Sequence, residues 1–401
     1  MESSVLSETK PMQSNTSIII SAILIVLLVG SVYISQLIFQ EIAKSFNIDI
    51  LDARNIFSLS CFFYAISFFI YGPLSDKVST KPLVLFGSIG TIFCLFISGT
   101  VHSFNLYLLV MSLIGFFAAS VPAALFAYTA KNTPNEKLPQ AMGVMISASI
   151  VGIIFSRSIV AMMTDFWSWQ IAFTIYACLI ILICFFIPLG IKSTKKDTNN
   201  TSIINTYISA TKLLLNITVV IYLLVGFLLF FVYLGLSSFL TFYLKGEPFN
   251  LSSTVLGWLN VAGLSAVIGA IITGKLSNFI NKDRLLVIYL ICVGIAVITI
   301  GYSLNLFFIA IGIFCLFLFV FGIQPVVISM LTQIVPFNSR GAISSLYLLS
   351  CLAGGSVGTY LLGILYEHMN WQGLVLACVI ITLINITLAL LGNHLLKRKI
   401  K

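Results

Sequence analysis

Long, uninterrupted apolar runs are the feature that most restricts what this chain can fold into. The first extends from about residue 17 to residue 43, and runs of similar length follow it, separated by short polar breaks. About 20 apolar residues in a helix cross the hydrocarbon core of a bilayer, because each residue adds about 1.5 Å. A helix in the core of a soluble protein would stop sooner, so the runs predict transmembrane helices.

Twelve runs of this kind can be counted. They lie near residues 17–43, 53–72, 82–101, 105–129, 138–163, 169–190, 215–243, 254–274, 284–303, 305–333, 341–364 and 371–395. A polar, cation-bearing stretch between the sixth and seventh runs is long for a connection and divides the chain into two halves. The predicted fold is an all-α membrane protein with twelve transmembrane helices in two six-helix bundles. The predicted domains are a tail at 1–16, a bundle at 17–190, a cytoplasmic loop at 191–214, a bundle at 215–395 and a basic tail at 396–401.

The composition excludes a soluble domain. Of the 401 residues, 59% are hydrophobic and only 8% are charged, whereas a soluble domain carries roughly 25% charged residues. The net charge of +9 is spread over short loops instead of gathering on one face, so no nucleic-acid partner is expected. The expected surroundings are the lipid bilayer of a plasma membrane.

The positive charges divide unevenly between the two sides of such a bundle. If the amino terminus is cytoplasmic, seventeen of the 21 Lys and Arg residues fall in inner segments. The outer segments hold only Lys44, Arg54 and Lys245, and Arg157 lies within a predicted helix. Cytoplasmic loops are enriched in Lys and Arg, and adding or removing one helix would destroy this asymmetry. The charges therefore predict twelve helices with both termini in the cytoplasm.

The chain also repeats itself weakly at a shift of 202 residues. Residues 72–76 (GPLSD) fall on residues 274–278 (GKLSN), and further coincidences pair Pro134 with Pro336, Gly152 with Gly354, and Trp169 with Trp371. Since each half holds six helices, the halves insert in the same orientation, as a parallel repeat about an axis along the membrane normal.

A short motif, GPLSDKVSTKP, extends from Gly72 to Pro82, where we expect the loop after helix 2. Gly72 permits close helix approach, and Asp76 suits a helix amino terminus or a cation across the cytoplasmic face. Lys77 and Lys81 suit anionic headgroups.

This motif resembles the signature of the major facilitator superfamily, G-x-L-[GAS]-D-[RK]-x-G-[RK]-[RK]. The matching residues are Gly72, Leu74, Ser75, Asp76, Lys77 and Lys81, whereas Ser79 and Thr80 depart from it. The P-x-x-x-R-G run that contains Arg340 also fits. The resemblance implies a transporter whose aspartate pairs across the cytoplasmic face and favours the outward-facing state. The predicted conformational gate is Gly72, Asp76, Lys77, Lys81 and Arg340.

Within that superfamily, the runs SRS at 156–158, TDF at 164–166 and SSLYL at 344–348 resemble the YnfM-like inner-membrane transport proteins. This implies the bacterial inner membrane and, on resemblance alone, efflux more than uptake. Proton-coupled drug antiporters have an arginine four residues before a glycine in helix 4 and a G-P pair in helix 5. Here Met111 stands four residues before Gly115, and Ser156 and Arg157 replace the G-P pair. The sequence therefore departs from both of these antiporter motifs.

Arg157 is the one cation well inside a predicted helix, in the outer half of helix 5. A charge at this depth costs at least about 2.5 kcal/mol, so it needs a partner or water. One interpretation is that Arg157 binds an anionic or carboxylate-bearing substrate. The other is a structural ion pair with Glu41 or Asp165, and the sequence favours neither.

Polar side chains at helical spacing predict a substrate cavity at mid-membrane between the halves. Its predicted lining is Tyr33, Gln36 and Gln40 on helix 1, Tyr64 on helix 2, Arg157 on helix 5, Tyr233 and Ser237 on helix 7, Asn260 on helix 8 and Gln324 on helix 10. Each alone is more typical of a hydrogen bond between helices. Together they favour a cavity, because the superfamily places its site there.

Few residues in the sequence indicate how transport is coupled to an energy source. No acid lies near the middle of a predicted helix, and Glu41 comes nearest, so Glu41 or the substrate would carry any coupled proton. A Walker-type loop, metal-spaced ligands and clustered catalytic side chains are missing, so we expect no ATP use, metal, cofactor or enzyme activity. The expected function is secondary transport of a small organic solute by a monomer. The alternatives are an uptake permease, and a non-transporting membrane sensor or assembly protein.

Overall fold

The computed structural model describes residues 15–48, 50–191, 208, 211–251, 259 and 262–400, and within them every regular element is a helix. The first half contains α1 (Asn15–Tyr33), α2 (Phe39–Phe46), α3 (Ile50–Lys77), α4 (Thr80–Ser98), α5 (Phe104–Asn132), α6 (Leu138–Phe166), α7 (Trp169–Cys184) and α8 (Ile187–Gly190). The second half contains α9 (Ile217–Lys245), α10 (Ser265–Leu276), α11 (Lys282–Tyr302), α12 (Leu306–Ile334) and the long segment Arg340–Ile400. Single 3-10 turns lie at Leu213–Leu215, Ala262–Leu264 and Phe337–Ser339.

The long final segment is two helices, α13 (340–369) and α14 (371–400). Asn370 interrupts it with φ of 56° and ψ of −166°, which are not helical angles. Among the described residues, nine helical segments, counting this one once, are long and apolar enough to cross a membrane, and Trp169–Cys184 and Ala262–Leu276 are shorter apolar helices. The described part of the chain therefore contains twelve apolar helices, and the predicted all-α membrane fold is confirmed.

Several predicted helix boundaries are wrong. The first run is not one helix, because α1 ends at Tyr33 and α2 begins at Phe39, with a turn in which Gln36 N donates to Tyr33 O at 3.1 Å. The motif after helix 2 is not a loop, because α3 continues to Lys77. The sixth run divides into α7 and α8, and α14 continues to residue 400 through the predicted basic tail. Most of the predicted amino-terminal tail and central loop lies outside the described residues.

Small residues let the helices of each half approach closely. A Cβ on Gly152 of α6 would overlap the carbonyl oxygen of Val26 on α1, and a Cβ on Gly354 of α13 would overlap that of Phe227 on α9. These two glycines are related by the shift of 202 residues, so the repeat is also a repeat of packing. Such small-residue contacts are typical of membrane helices, which associate through close van der Waals packing.

The two halves meet at one end of the bundle, which we call the Asp76 face. There α3 packs against α13, with the position of a Cβ on Gly72 only 2.5 Å from Ser345 Cβ. On the other side of the seam α6 packs against α10, where a Cβ on Gly143 would overlap the Ala270 carbonyl oxygen. Hydrogen bonds and close glycine contacts join the halves at this face.

Candidate functional site

Asp76 lies in the last turn of α3, with a side chain only 2% exposed. Lys131 Nζ, from the end of α5, lies 2.8 Å from its Oδ1. The backbone N–H groups of Gly341 and Ala342 donate to Oδ1 at 2.9 Å and to Oδ2 at 2.7 Å. The first N–H groups of a helix have no partner within the helix and carry partial positive charge. The Asp76 carboxylate of the first half thus caps α13 of the second half.

Arg340 makes a second connection across the same seam. Its Nη1 donates to the carbonyl oxygen of Ala130 at 2.8 Å and its Nη2 to Asn135 Oδ1 at 3.3 Å. Its guanidinium carbon also stands 5.5 Å from the ring centroid of Phe337. Arg340 is therefore held by main-chain and amide oxygens of the first half instead of by a carboxylate.

The structure assembles only part of the predicted gate. Gly72, Asp76 and Arg340 lie in the seam, whereas Lys77 and Lys81 are half-buried and contribute no ion pair among the described residues. The cation that pairs with Asp76 is Lys131, which is not part of the predicted gate. Lys131 lies in the last turn of α5, the fourth predicted transmembrane helix, on the same predicted side of the membrane as Asp76. That position in the sequence could have identified Lys131 as a partner of Asp76.

Arg157 lies on α6, and its Nη1 donates to Gln36 Oε1 at 3.1 Å. Gln36 belongs to the turn between α1 and α2 instead of to helix 1, so the break in the first run brings an amide to the cation. Within the described residues, neither Glu41 nor Asp165 lies within 4.0 Å of Arg157. The ion pair that was one interpretation of Arg157 is therefore not formed.

Two of the predicted tyrosines, Tyr33 and Tyr233, lie within electrostatic range of this arginine, and Tyr64 joins them through Tyr33. Arg157, Tyr64 and Tyr233 all lie within electrostatic range of Tyr33, and the Cys61 thiol contacts the Tyr33 hydroxyl. Since Tyr233 comes from α9 in the second half, the cluster bridges the two halves. We call Tyr33, Tyr64, Arg157 and Tyr233 the Arg157 cluster.

Aromatic rings form the wall of the cluster in the second half. The Tyr233 ring centroid lies 5.1 Å from that of Phe317 and 5.4 Å from that of Phe321, both on α12. Gln324, one helical turn beyond Phe321, is 5% exposed. Aromatic faces with tyrosine hydroxyls and a guanidinium suit an organic solute that has an apolar body and an anionic group.

The remaining predicted residues take other positions. Gln40 is exposed on α2, and Ser237 is half-buried on α9 one turn beyond Tyr233. Glu41 is also on α2, where its Oε2 is buried and has no hydrogen-bond partner among the described residues. Asn260 lies outside the described residues.

Relatives of the chain are transporters. It is 24% identical over 347 residues to the uncharacterized MFS-type transporter YybF of Bacillus subtilis, covering 86% of this chain and 85% of the relative. It is 27% identical over 146 residues to the inner membrane transport protein YnfM of Escherichia coli K12, covering 36% and 35%. It is 25% identical over 248 residues to the multidrug resistance protein MdtG of Escherichia coli, covering 59% and 58%.

The fold also matches that of a solved transporter structure. The crystal structure of FucP, a major facilitator transporter in the outward conformation, superimposes with a TM-score of 0.77 at 14% identity, covering 94% of this chain and 98% of that one. A model of the Major Facilitator Superfamily matches residues 19–359 and 248–399. The predicted resemblance is thereby confirmed: the chain belongs to the major facilitator superfamily and is a multi-pass transporter of the plasma membrane.

Proposed function

We propose that this transporter exports a small organic solute with a carboxylate or another anionic group, and that Arg157 binds that group. The observation that carries the proposal is the state of Arg157, a cation inside the bundle whose described hydrogen-bond partner is the neutral amide of Gln36. A buried charge is expensive unless it is paired. The Gln36 oxygen takes the place that a substrate oxygen would occupy, and a carboxylate would bind the planar guanidinium more strongly, through two parallel hydrogen bonds.

Alternating access follows from the uneven closure of the bundle. Hydrogen bonds and close glycine contacts join the halves at the Asp76 face, and the cation asymmetry predicts that this face is cytoplasmic. On that assignment the present conformation is outward-facing. Release toward the cytoplasm, or loading from it, requires α3 to separate from α13 and α6 from α10.

Direction and coupling are proposed from two further observations. Efflux is proposed because the chain is similar to MdtG, a multidrug resistance protein. Glu41 is the proposed proton carrier because one of its carboxylate oxygens is buried and unpartnered among the described residues.

The test is counterflow and efflux in proteoliposomes, using matched carboxylates, neutral analogues and cationic drugs, with and without a pH gradient. Arg157→Ala should reduce anion transport by at least about tenfold, since hydrogen bonds to charged groups contribute about 1.5–3 kcal/mol. Arg157→Lys should retain part of it. Arg284→Ala is the matched control, because Arg284 is exposed at the start of α11.

Each outcome bears on a separate part of the proposal. Wild-type anion transport by Arg157→Ala would exclude Arg157 as the binding cation. If a pH gradient accelerates transport by Glu41→Gln as much as it accelerates transport by the wild type, Glu41 is excluded as the proton carrier. Inward accumulation driven by the gradient would favour an uptake permease over an exporter.

A further inference from the structure

Two cavities lie at the Asp76 face. The smaller, of about 270 Å³, includes Ser75, Asp76, Thr80 and Lys131 in its lining. The larger, of about 460 Å³, is lined by polar residues alone: Asn135, Glu136, Lys137, Ser277, Asn278, Lys282 and Gln333. We call the larger one the Lys282 cavity.

The two cavities are the same place in the two repeats. At the shift of 202 residues, Ser75 becomes Ser277, Asp76 becomes Asn278, Thr80 becomes Lys282 and Lys131 becomes Gln333. The relation also holds in reverse, since Phe337 and Asn338 of the smaller cavity fall on Asn135 and Glu136 of the larger. A parallel repeat relates the two places by symmetry, but their exposure differs: Asp76 is buried, whereas Asn278 and Gln333 are exposed, so solvent reaches the second cavity.

The chemistry differs at the position of the anion. In the first repeat, the Asp76 carboxylate binds an ammonium group and two backbone N–H groups from the other half. In the second repeat, Asn278 replaces that carboxylate and Gln333 replaces Lys131. Both amides offer N–H donors. The second cavity therefore has no carboxylate at the position of Asp76, but it has amide groups that can donate to an anion.

Lys282 adds a cation to the same place. It is half-buried, and its Nζ donates to Ser329 Oγ at 2.7 Å and to the carbonyl oxygen of Asn135, across the seam, at 3.4 Å. An ammonium group has three donors, and two of them are used by these neutral oxygens among the described residues. Two acids lie near Lys282: Glu136, which is exposed in the cavity lining, and Asp283, which follows Lys282 in the chain and lies within electrostatic range of it.

We propose that the Lys282 cavity binds a phosphate or carboxylate group, carried by a free ion or a lipid headgroup, and that this anion stabilises the closed Asp76 face. The bound group takes the place that Asp76 takes in the other repeat, and Lys282, Asn278 and Gln333 donate to it. Closure of the transporter then depends on an anion from its surroundings on one side of the seam and on its own carboxylate on the other. The inference is independent of the solute that is transported.

The test is thermal unfolding of the purified full-length protein in detergent, in phosphate and in chloride of equal ionic strength. Phosphate should raise the unfolding midpoint of the wild type by about 3 °C at saturation, because a ligand of the folded state stabilises it. Lys282→Met should lose this rise. Lys275→Met should keep it, since Lys275 is exposed and does not line the cavity.

The decisive variant is Asn278→Asp, which restores the carboxylate of the first repeat. It should no longer respond to phosphate. A parallel series in phosphatidylcholine nanodiscs, with and without phosphatidylglycerol, separates the sources, because stabilisation by phosphatidylglycerol alone would identify a lipid headgroup. A wild type that neither ligand stabilises would overturn the proposal, and so would an Asn278→Asp variant that responds as the wild type does.

Discussion

At the scale of single residues, Asp76 and Arg157 show two ways in which a charge inside the bundle is compensated. Both oxygens of Asp76 have strong donors, one of them the cation Lys131. Arg157 has a neutral amide as its described partner. A fully paired charge is typical of a structural connection, whereas an incompletely paired one favours a ligand. Asp76 therefore belongs to the contact between the halves, and the incomplete pairing of Arg157 supports the proposal that it binds the solute.

Asp76→Asn should slow the transport cycle. The amide has nearly the shape of the carboxylate, but it loses the charge that pairs with Lys131 and replaces one acceptor with an NH₂ group that cannot accept from an α13 amide. The closed face should then re-form poorly in each cycle, and the initial counterflow rate should fall by about a hundredfold or more, because breaking a buried pair costs about 3–5 kcal/mol.

The double variant distinguishes this pair from unrelated damage. If Asp76 and Lys131 act as a unit, adding Lys131→Met to Asp76→Asn should cause little further loss, because interacting residues are not additive. A turnover rate like that of the wild type in Asp76→Asn would contradict the assignment.

At the scale of elements, the seam depends on how closely pairs of helices approach. The α6–α10 contact includes a hydrogen bond from Ser147 Oγ to the carbonyl oxygen of Val267 at 3.0 Å. Gly143, one turn earlier on α6, faces the Ala270 carbonyl oxygen. A backbone oxygen cannot rotate away as a side chain can, so this contact depends on the absence of a Cβ.

Gly143→Ala should weaken the closed conformation and slow transport. Inserting a methyl group into a packed contact costs about 1–3 kcal/mol, which unfolding midpoints in detergent and counterflow rates would both detect. Gly294→Ala is the matched control, because its Cβ would meet only Thr382 Cγ2, at an ordinary 3.5 Å. Equal behaviour of the two variants would show that the approach of α6 to α10 does not limit closure.

At the scale of the whole molecule, the uneven distribution of cations predicts that the Asp76 face and both termini are cytoplasmic. A fluorescent protein fused after Lys401 should therefore be fluorescent, and alkaline phosphatase at the same place should be inactive. Phosphatase fused after residue 303, between α11 and α12, should be active. The opposite pattern would invert the bundle and make the present conformation inward-facing.

The number of helices, the repeat and the predicted sidedness could be derived from the sequence alone. The length of an apolar run and the charge of a loop are read against the bilayer, which acts on each segment separately. The cavity residues Tyr33, Tyr64, Arg157 and Tyr233 were identified in the same way, as polar groups in apolar runs, and they stay predicted site residues.

Only the tertiary structure decided which groups meet. Gln36 reaches Arg157 because α1 stops at Tyr33, and the apolar run gives no sign of that stop, since Ile34 and Ile38 are as apolar as the residues of a continuous helix. Lys131 and Gly341 reach Asp76 from 55 and 265 residues away. A partner at such distances depends on how helices pack, and no local pattern records it. The long apolar runs therefore determine that the chain spans the membrane, while the contacts between the helices determine where the halves close and which side chain Arg157 meets.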